Sequence, residues 1–251
     1  MRIVGVDCAP TKPLAVFDGR DRRIPLSDAR CFLNEIAAEP NVLLCWDSPL
    51  TGPPEAVLAG GDGYGSDFSQ RPIEKFFSRQ TTGFKTPKGI PVRYYCGCPH
   101  WAMSRSLIGL PRTGPFDAEP GALPFRLIVS NVAPETGRYV VEVHPALALW
   151  LWCRQVRPHG NWDYKDDPRV LAELWDSLLR IRDVDIKGII GTGELPASDD
   201  ALDARLAYAL GRLWIEGRDA AILLGNLSQG TFLLPRVNGL ETAFERFAAH
   251  G

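Results

Sequence analysis

The sequence predicts an α/β fold in which a mixed β-sheet is flanked by helices. Three observations support this prediction: strand and helix patterns alternate along the chain, the first three strands have the spacing of an antiparallel meander, and the fourth is a continuous apolar run typical of a buried parallel strand. Because 251 residues can bury one large core, we expect residues 1–251 to form a single domain with one insertion.

The first five elements follow the order β-β-β-α-β. Residues 2–7 alternate between two faces, and residues 13–18 and 22–26 have the pattern of two further short strands. Ser27 is expected to cap the helix that follows, because apolar residues then recur at helical spacing. The apolar run at 42–47 is the expected fourth strand.

The regular pattern is interrupted from about residue 51 to residue 124. Glycine and proline are frequent there and helical stretches (71–80 and 99–109) are short, so we expect an inserted cap region. Regular patterns then return. They predict strands at 125–132, 139–144, 220–224 and 231–234, helices that begin at Pro145, Pro168 and Asp199, and a C-terminal helix.

Bulk properties exclude two classes of protein. The formal net charge is −2, so the chain is not basic throughout, and no run of about 18 apolar residues is present to span a membrane. An acid at position 7 comes too early for a secretory signal, and the cysteines are scattered rather than arranged as a disulfide framework. A reducing cytoplasm is the expected compartment, and the oligomeric state stays open.

Two predicted strands end in an aspartate, where a buried charge is costly unless it is paired or binds a metal. Asp7 ends the first strand and Asp47 ends the fourth. Each could simply begin a turn or cap the segment that follows. In α/β sheets, however, ligands gather beyond the carboxyl ends of the strands, so the repetition favours a functional site.

Asp203 is the sharpest of the acidic signals. On a helical wheel it lies in the apolar stripe with Leu206 and Leu210, more than one turn inside the predicted helix. The helix dipole does not account for it there, so a basic side chain or a metal ion must face it. Asp200, three residues earlier, can flank the same site.

Glu142 and His144 alternate on one face of the strand before Pro145. They could add a ligand or an acid–base pair to the site, or form a hydrogen-bonded pair in the core. Carboxylates without a His or Cys cluster favour Mg²⁺ or Mn²⁺. Two such ions clamp the attacking and leaving oxygens of a phosphodiester displacement, which predicts a metal-dependent hydrolase. We assign Asp7, Asp47 and Asp203 as metal ligands, with Asp200 or Glu142 completing the catalytic set.

Five pieces of the chain, taken in order, carry a resemblance to a known family. They are VGVD at 4–7, WDSPL at 46–50, VEVHP at 141–145, DDALDA at 199–204 and GTFLLP at 230–235. The chain resembles a prokaryotic family of predicted RNase H-like nucleases, the domain of unknown function 429, and DDALDA looks like the acidic C-terminal helix of RuvC-type resolvases. The resemblance implies an RNase H-like fold, a metal site and nuclease activity.

The chain departs from the family pattern directly after Asp7. Where the family often has Gly-Cys-Pro-Gly-Gly-Trp, this chain has Cys-Ala-Pro-Thr-Lys-Pro at 8–13, so the turn is built differently and Lys12 is a candidate for a local role at the substrate. Lys165 falls where the family tends to place basic residues after the Glu-x-His-Pro strand. It could face a phosphate or be an exposed charge at a helix start.

The charge pattern of the expected cap region indicates an anionic partner. Residues 71–112 contain eight basic residues and one acid, Glu74, with aromatic residues interleaved. Bases and stacking rings suit a single-stranded nucleic acid or a nucleotide, and the position directly after Asp47 favours this over the alternative, in which the rings form the cap's own small core. The candidate substrate-binding residues are Lys12, Arg71, Lys75, Arg79, Lys85, Lys165 and His144.

The sequence therefore predicts a Mg²⁺- or Mn²⁺-dependent nuclease that acts on nucleic acid or a nucleotide. Two alternatives stay open. One is an enzyme on the same fold that acts on a nucleotide or a small phosphate ester, although no Gly-rich phosphate loop is present. The other is a non-catalytic nucleic-acid-binding module that has kept the fold.

Overall fold

A computed structural model of the chain describes residues 1–51, 71–92, 99–108, 123–217 and 219–250. The strands are β1 (Arg2–Asp7), β2 (Leu14–Phe17), β3 (Asp21–Ile24), β4 (Val42–Asp47), β5 (Arg126–Leu127), β6 (Arg138–Glu142), β7 (Ala221–Asn226) and β8 (Gly230–Pro235). The helices are α1 (Ala29–Ala37), α2 (Pro72–Ser78), α3 (Pro99–Ile108), α4 (Pro145–Cys153), α5 (Pro168–Leu179), α6 (Ile186–Ile190), α7 (Asp199–Ile215) and α8 (Leu240–His250).

The α/β class and the mixed sheet are confirmed. Six strands form one sheet in the order β3-β2-β1-β4-β6-β5. β1, β2 and β3 pair antiparallel as a meander, whereas β4 pairs parallel with β1, and β6 pairs parallel with both β4 and β5. β7 and β8 form an antiparallel hairpin, and a single bridge between Val143 and Leu233 joins it to the main sheet.

Three local predictions differ from the structure. Helix α1 begins at Ala29 after a short 3-10 turn, so Ser27 is not its N-cap. β5 is shorter than the predicted strand at 125–132, and beyond its end Asn131 Oδ1 accepts hydrogen bonds from Trp214 and from the Leu223 amide. The five-residue helix α6 was not predicted, since it is shorter than the pattern that periodicity detects.

Two apolar cores lie on opposite faces of the sheet. One contains Val4, Val6 and Trp46 together with α1, and the other contains Ile3 and Cys45 together with α4, α5 and α7. The described part of the expected cap at 71–92 is built into this second core rather than standing apart from it. Its rings pack on the C-terminal helix, since the Phe76 and Phe244 ring centroids are 5.3 Å apart.

Two findings concern the bulk predictions. None of the helices within the described ranges is both long and apolar enough to cross a bilayer. The described cysteines Cys8, Cys31, Cys45 and Cys153 are free thiols. The cytoplasmic location stays a prediction.

Helix α7 lies directly on β1 because glycine stands at position 5. A Cβ atom on Gly5 would overlap the Ala204 carbonyl oxygen and the Tyr208 amide nitrogen, both in the backbone of α7. A second close approach follows one turn later, where a Cβ on Gly211 would overlap the side chains of Cys45 and Ile3. The helix is therefore held against the sheet at a distance that only glycine permits.

We expect Gly5→Ala to destabilise the fold by about 3 kcal/mol, since the added methyl group collides with helix backbone, which cannot rotate away as a side chain can. Urea unfolding followed by circular dichroism measures the change. Gly193→Ala is the matched control, because only the flexible Lys187 side chain, 3.2 Å away at its nearest atom, would meet a Cβ there. Equal unfolding midpoints for Gly5→Ala and wild type would contradict the packing described.

Candidate functional site

Asp7 and Asp47 lie side by side at one edge of the sheet. Their strands are parallel and the two residues are register partners, so their side chains leave the same face at the carboxyl ends of β1 and β4. That face also carries Gly5 and is covered by α7. The two acids therefore lie close together, as predicted, because their strands are in register.

Asp203 lies on α7, one residue before the point at which the helix touches Gly5. Its side chain is 1% exposed, and both carboxylate oxygens have partners on the segment before α5. The Tyr164 hydroxyl donates to Oδ1 at 2.6 Å, and the Lys165 ammonium lies 3.1 Å from Oδ2. The sequence required a basic partner or a metal at this position, and in the structure Lys165 is that basic partner.

The three aspartates repel one another electrostatically. Burial, together with the charges of Asp47 and Asp203, raises the pKa of Asp7 well above its ordinary value. Burial also raises the pKa of Asp203, against the opposing effects of Lys165 and Tyr164. The charge of Asp203 raises the pKa of Lys165, which therefore stays protonated. One lysine faces three carboxyl groups, so negative charge is in excess when all three are ionised. We call Asp7, Asp47, Asp203 and Lys165 the acid cluster.

Asp200 lies at the rim of the acid cluster, as the sequence predicted. Its two oxygens accept from Lys12 at 2.9 Å and from Arg23 at 3.2 Å. The side chains of Lys12 and Arg23 are 52% and 57% exposed, so both also face solvent. The structure thus ties Lys12 to the site through Asp200, while its contact with substrate stays a prediction.

Glu142 does not join the acid cluster. It is in register with Trp46 rather than with Asp47, so its side chain leaves the opposite face of the sheet. There, Arg71 donates to Oε1 at 2.6 Å and to Oε2 at 2.9 Å, while the Leu50 and Thr51 amides donate to Oε2. The assignment of Glu142 to the catalytic set is therefore replaced by a structural role: it fixes the loop that follows Asp47.

Arg71 was expected to bind substrate, and the structure places it in the interior instead. The residue is 1% exposed, and its guanidinium group lies between Glu142 and Glu74. It also donates to the Thr51 carbonyl at 2.6 Å. A guanidinium group enclosed by two carboxylates cannot reach a substrate phosphate, so Arg71 stabilises the same loop as Glu142.

His144 is likewise buried rather than directed at a substrate. Its Nδ1 accepts from the Leu147 amide at 3.4 Å and so caps α4, and its ring packs edge-on against Phe232. Burial, aided by the charges of Lys165 and Arg71, lowers the pKa of His144 to about 3, so the ring is neutral at physiological pH. Its role in the described structure is to begin a helix.

The remaining basic candidates lie on the surface of the segment at 71–92. Lys75 is half-buried on α2, the Arg79 guanidinium lies 5.3 Å from the Phe247 ring centroid, and Lys85 is exposed. The aromatic rings that were expected to stack on bases (Phe76, Phe77 and Phe84) are buried in the core instead. The other residues of this charge pattern, Arg93, Tyr94, Tyr95, Arg112 and the side chains of Trp101 and Arg105, lie outside the described residues.

Comparison with known proteins gives one family. Residues 127–225 match the family model described as Protein of unknown function (DUF429). This confirms the predicted family resemblance over that part of the chain. The matched stretch contains Lys165, Asp203 and the whole of α7. It does not include the strand aspartates Asp7 and Asp47. Neither curated proteins nor solved structures give a match to the chain.

Tyr164 is the contributor to the site that sequence reasoning missed. It is fully buried next to exposed Lys165, and its hydroxyl holds Asp203 in place. Burial raises the pKa of Tyr164 well above its ordinary value, so it acts as a hydrogen-bond donor. The only signal in the sequence was the unmet need of Asp203 for a partner, which does not say where along the chain that partner lies.

The donor set fits a hard divalent cation. Asp7, Asp47 and Asp203 offer only oxygen ligands, and the cluster carries excess negative charge that a cation would neutralise. Within the described ranges, no three His, Cys, Asp or Glu side chains are arranged as a group that could hold a metal ion. In the structure, Tyr164 and Lys165 contact the two oxygens of Asp203.

We expect Arg71→Met to destabilise the protein by about 3–5 kcal/mol, because it leaves the carboxylates of Glu74 and Glu142 buried without their cation. Thermal unfolding measures the change. Arg79→Met, a change of the same kind at an exposed position of the same segment, should have little effect. An Arg71→Met protein as stable as wild type would return Arg71 to the list of substrate-binding candidates.

We expect Asp7→Asn to raise the melting temperature at pH 7 in the presence of a chelator by about 2–4 °C, or about 1 kcal/mol. The raised pKa of Asp7 means that the folded state resists its ionisation. That penalty is fully present above the folded-state pKa and is absent below the unfolded-state value of about 3.9, so the difference from wild type should shrink as the pH falls towards 4.

Differential scanning calorimetry across this pH range tests the expectation. The control is Asp176→Asn, which removes an exposed helical aspartate whose only described ion pair is with Arg180 at 3.6 Å. A lower melting temperature for Asp7→Asn than for wild type at pH 7 would show that Asp7 is a stabilising partner rather than a strained charge.

Proposed function

We propose that this chain is a divalent-metal-dependent nuclease that hydrolyses phosphodiester bonds. The observation that carries the proposal is the meeting of Asp7, Asp47 and Asp203 on one face at the carboxyl edge of the parallel strands, with more negative charge than Lys165 balances. Strained clusters of this kind are typical of functional sites, because burial and repulsion reduce stability without any structural benefit.

The fold supports the same proposal at a finer level. An antiparallel meander followed by a parallel fourth strand beside the first is the arrangement expected of an RNase H-like sheet, with acids on the first and fourth strands and a late helix. We therefore propose that the sheet is RNase H-like. The family match supports only a relationship to proteins of unknown function, so the activity rests on the site itself.

Asp7, Asp47 and Asp203 would hold Mg²⁺ or Mn²⁺, which would supply Lewis-acid charge to the phosphate and to the attacking water. Lys165 has a second task. Its side chain is 42% exposed, so its ammonium group would be able to contact a phosphate oxygen. Tyr164 keeps Asp203 oriented from the buried side, and Asp200 holds Lys12 and Arg23 at the rim.

The proposal predicts that Asp203→Asn keeps the fold but loses metal binding and hydrolysis. Calorimetric titration of Mn²⁺ into chelator-treated protein measures the first, and cleavage of a single-stranded oligonucleotide measures the second. We expect cleavage to fall at least about 100-fold, since even indirect supports of metal ligands contribute 10- to 100-fold. Asp176→Asn, at an exposed helical position, should behave as wild type.

The outcomes separate the competing functions. Metal binding and hydrolysis that both disappear in Asp203→Asn support the nuclease. Hydrolysis of a small phosphate diester without cleavage of oligonucleotides would favour an enzyme that acts on small esters. If Mn²⁺ neither binds to the wild type nor raises its melting temperature, the catalytic proposal is wrong and a binding module takes its place. Because wild type alone gives that result, it does not depend on whether Asp203→Asn folds.

A further inference from the structure

We propose that the groove beside Lys85 and Lys88 binds single-stranded nucleic acid through its phosphates and leads the strand to the acid cluster. The proposal deepens the proposed function, and it rests on that function for the cleavage of the strand at the acid cluster. Binding in the groove is a separate property, which can be measured without metal and without cleavage.

The groove has two walls and a volume of about 680 Å³. Residues 85–92 form the first wall, and Asp163, Lys165 and Asp166 form the second. The walls touch at Gly89, where a Cβ would lie 2.7 Å from the Trp162 carbonyl carbon. Buried side chains anchor each wall, among them Ile90 in the first and Trp162 in the second. The groove is therefore formed before any ligand arrives.

The groove and the acid cluster share a residue. Lys165 lines the groove, and its ammonium group also lies 3.1 Å from Asp203 Oδ2. Its neighbour Tyr164 donates to the other oxygen of Asp203. A chain that follows the groove past Lys165 thus arrives next to the carboxylates, which is the path a phosphodiester substrate needs.

The first wall carries the charge that a phosphate chain would meet. Lys85 and Lys88 are exposed, and no carboxylate in the described ranges forms an ion pair with either of them. Lys85 donates to Gln80 Oε1 at 3.1 Å, a neutral contact that phosphate can replace. The second wall contains Asp163 and Asp166, which repel phosphate. We therefore place the strand along the lysines of the first wall.

The described lining of the groove is suited to phosphates rather than to bases. None of the described residues that line it is aromatic, and the nearby Phe76 and Phe84 rings are buried. Among these described residues, the favourable contacts for a nucleic acid come from charge, which is independent of sequence and sensitive to salt. Its volume of about 680 Å³ falls within the range of small-ligand pockets, roughly 300–1,000 Å³, so the groove has room for part of a single strand.

The test is binding of a labelled thymidine oligonucleotide of about 12 nucleotides, a length within the site sizes of single-strand-binding folds. Fluorescence anisotropy in chelator, at salt concentrations between about 50 and 200 mM, gives both the affinity and its salt dependence. The variant is Lys85→Ala with Lys88→Ala. The control removes two positive charges elsewhere, Arg20→Ala with Lys187→Ala, both exposed and neither lining the groove.

We expect the groove variant to bind roughly threefold to tenfold more weakly at the lowest salt, as the loss of two exposed ion pairs implies. The slope of log affinity against log salt should become shallower by about 1.4, since each single-strand phosphate contact contributes about 0.7. The control should match wild type in both measurements. Thermal melts check that all three proteins are folded.

Three results would overturn the proposal: no binding by wild type, equal losses in the groove variant and the control, or competition by duplex or by a polyglutamate peptide as strong as that by single strand. Cleavage of the same oligonucleotide by wild type with Mn²⁺ tests the proposed function in parallel. Binding without cleavage would support the groove proposal and contradict the nuclease proposal. Cleavage by wild type, together with a groove variant that binds as tightly as wild type, would support the nuclease and contradict the groove proposal.

Discussion

The contact between α7 and β1 is the constraint on which the rest of the site depends. A strand and a helix normally stand apart by the length of their side chains, but Gly5 removes that spacer, and the α7 backbone at Ala204 and Tyr208 rests on the strand. Asp203, one residue before Ala204, is thereby held close to Asp7. The same contact closes the core on that face of the sheet, so the packing that stabilises the fold also assembles the acids.

The acids brought together in this way are only partly balanced. Each buried carboxylate loses solvation, and its neighbours add repulsion that Lys165 offsets for Asp203 more than for Asp7. A protein selected for stability alone would replace one of these acids by an amide. Nearby, the ion pairs of Arg71 with Glu142 and Glu74 hold the residues directly after Asp47, since Arg71 and Glu142 also bind Thr51.

Sequence periodicity located the acid cluster but misplaced its neighbours, for a physical reason. Asp7, Asp47 and Asp203 follow from patterns within single strands and one helix, each readable over a few residues. Glu142 depends on the register between β4 and β6, and a shift of one residue sends a strand side chain to the opposite face. Arg71 depends on a partner 71 residues away, which local charge density does not reveal, so a buried ion pair and a surface patch look alike in sequence.

Local sequence patterns also do not show which aromatic rings will be buried, and this changes the prediction about nucleic acid. The interleaved bases and rings of residues 71–92 suggested stacking, yet aromatic side chains lower the free energy most when they leave water, and the core takes Phe76, Phe77 and Phe84. The lysines gain nothing from burial and stay at the surface. In the described part of this segment, folding therefore buries the rings and leaves the lysines at the surface. Among the described residues, Lys85 and Lys88 stay exposed beside Lys165, and their charges favour recognition of the phosphate backbone.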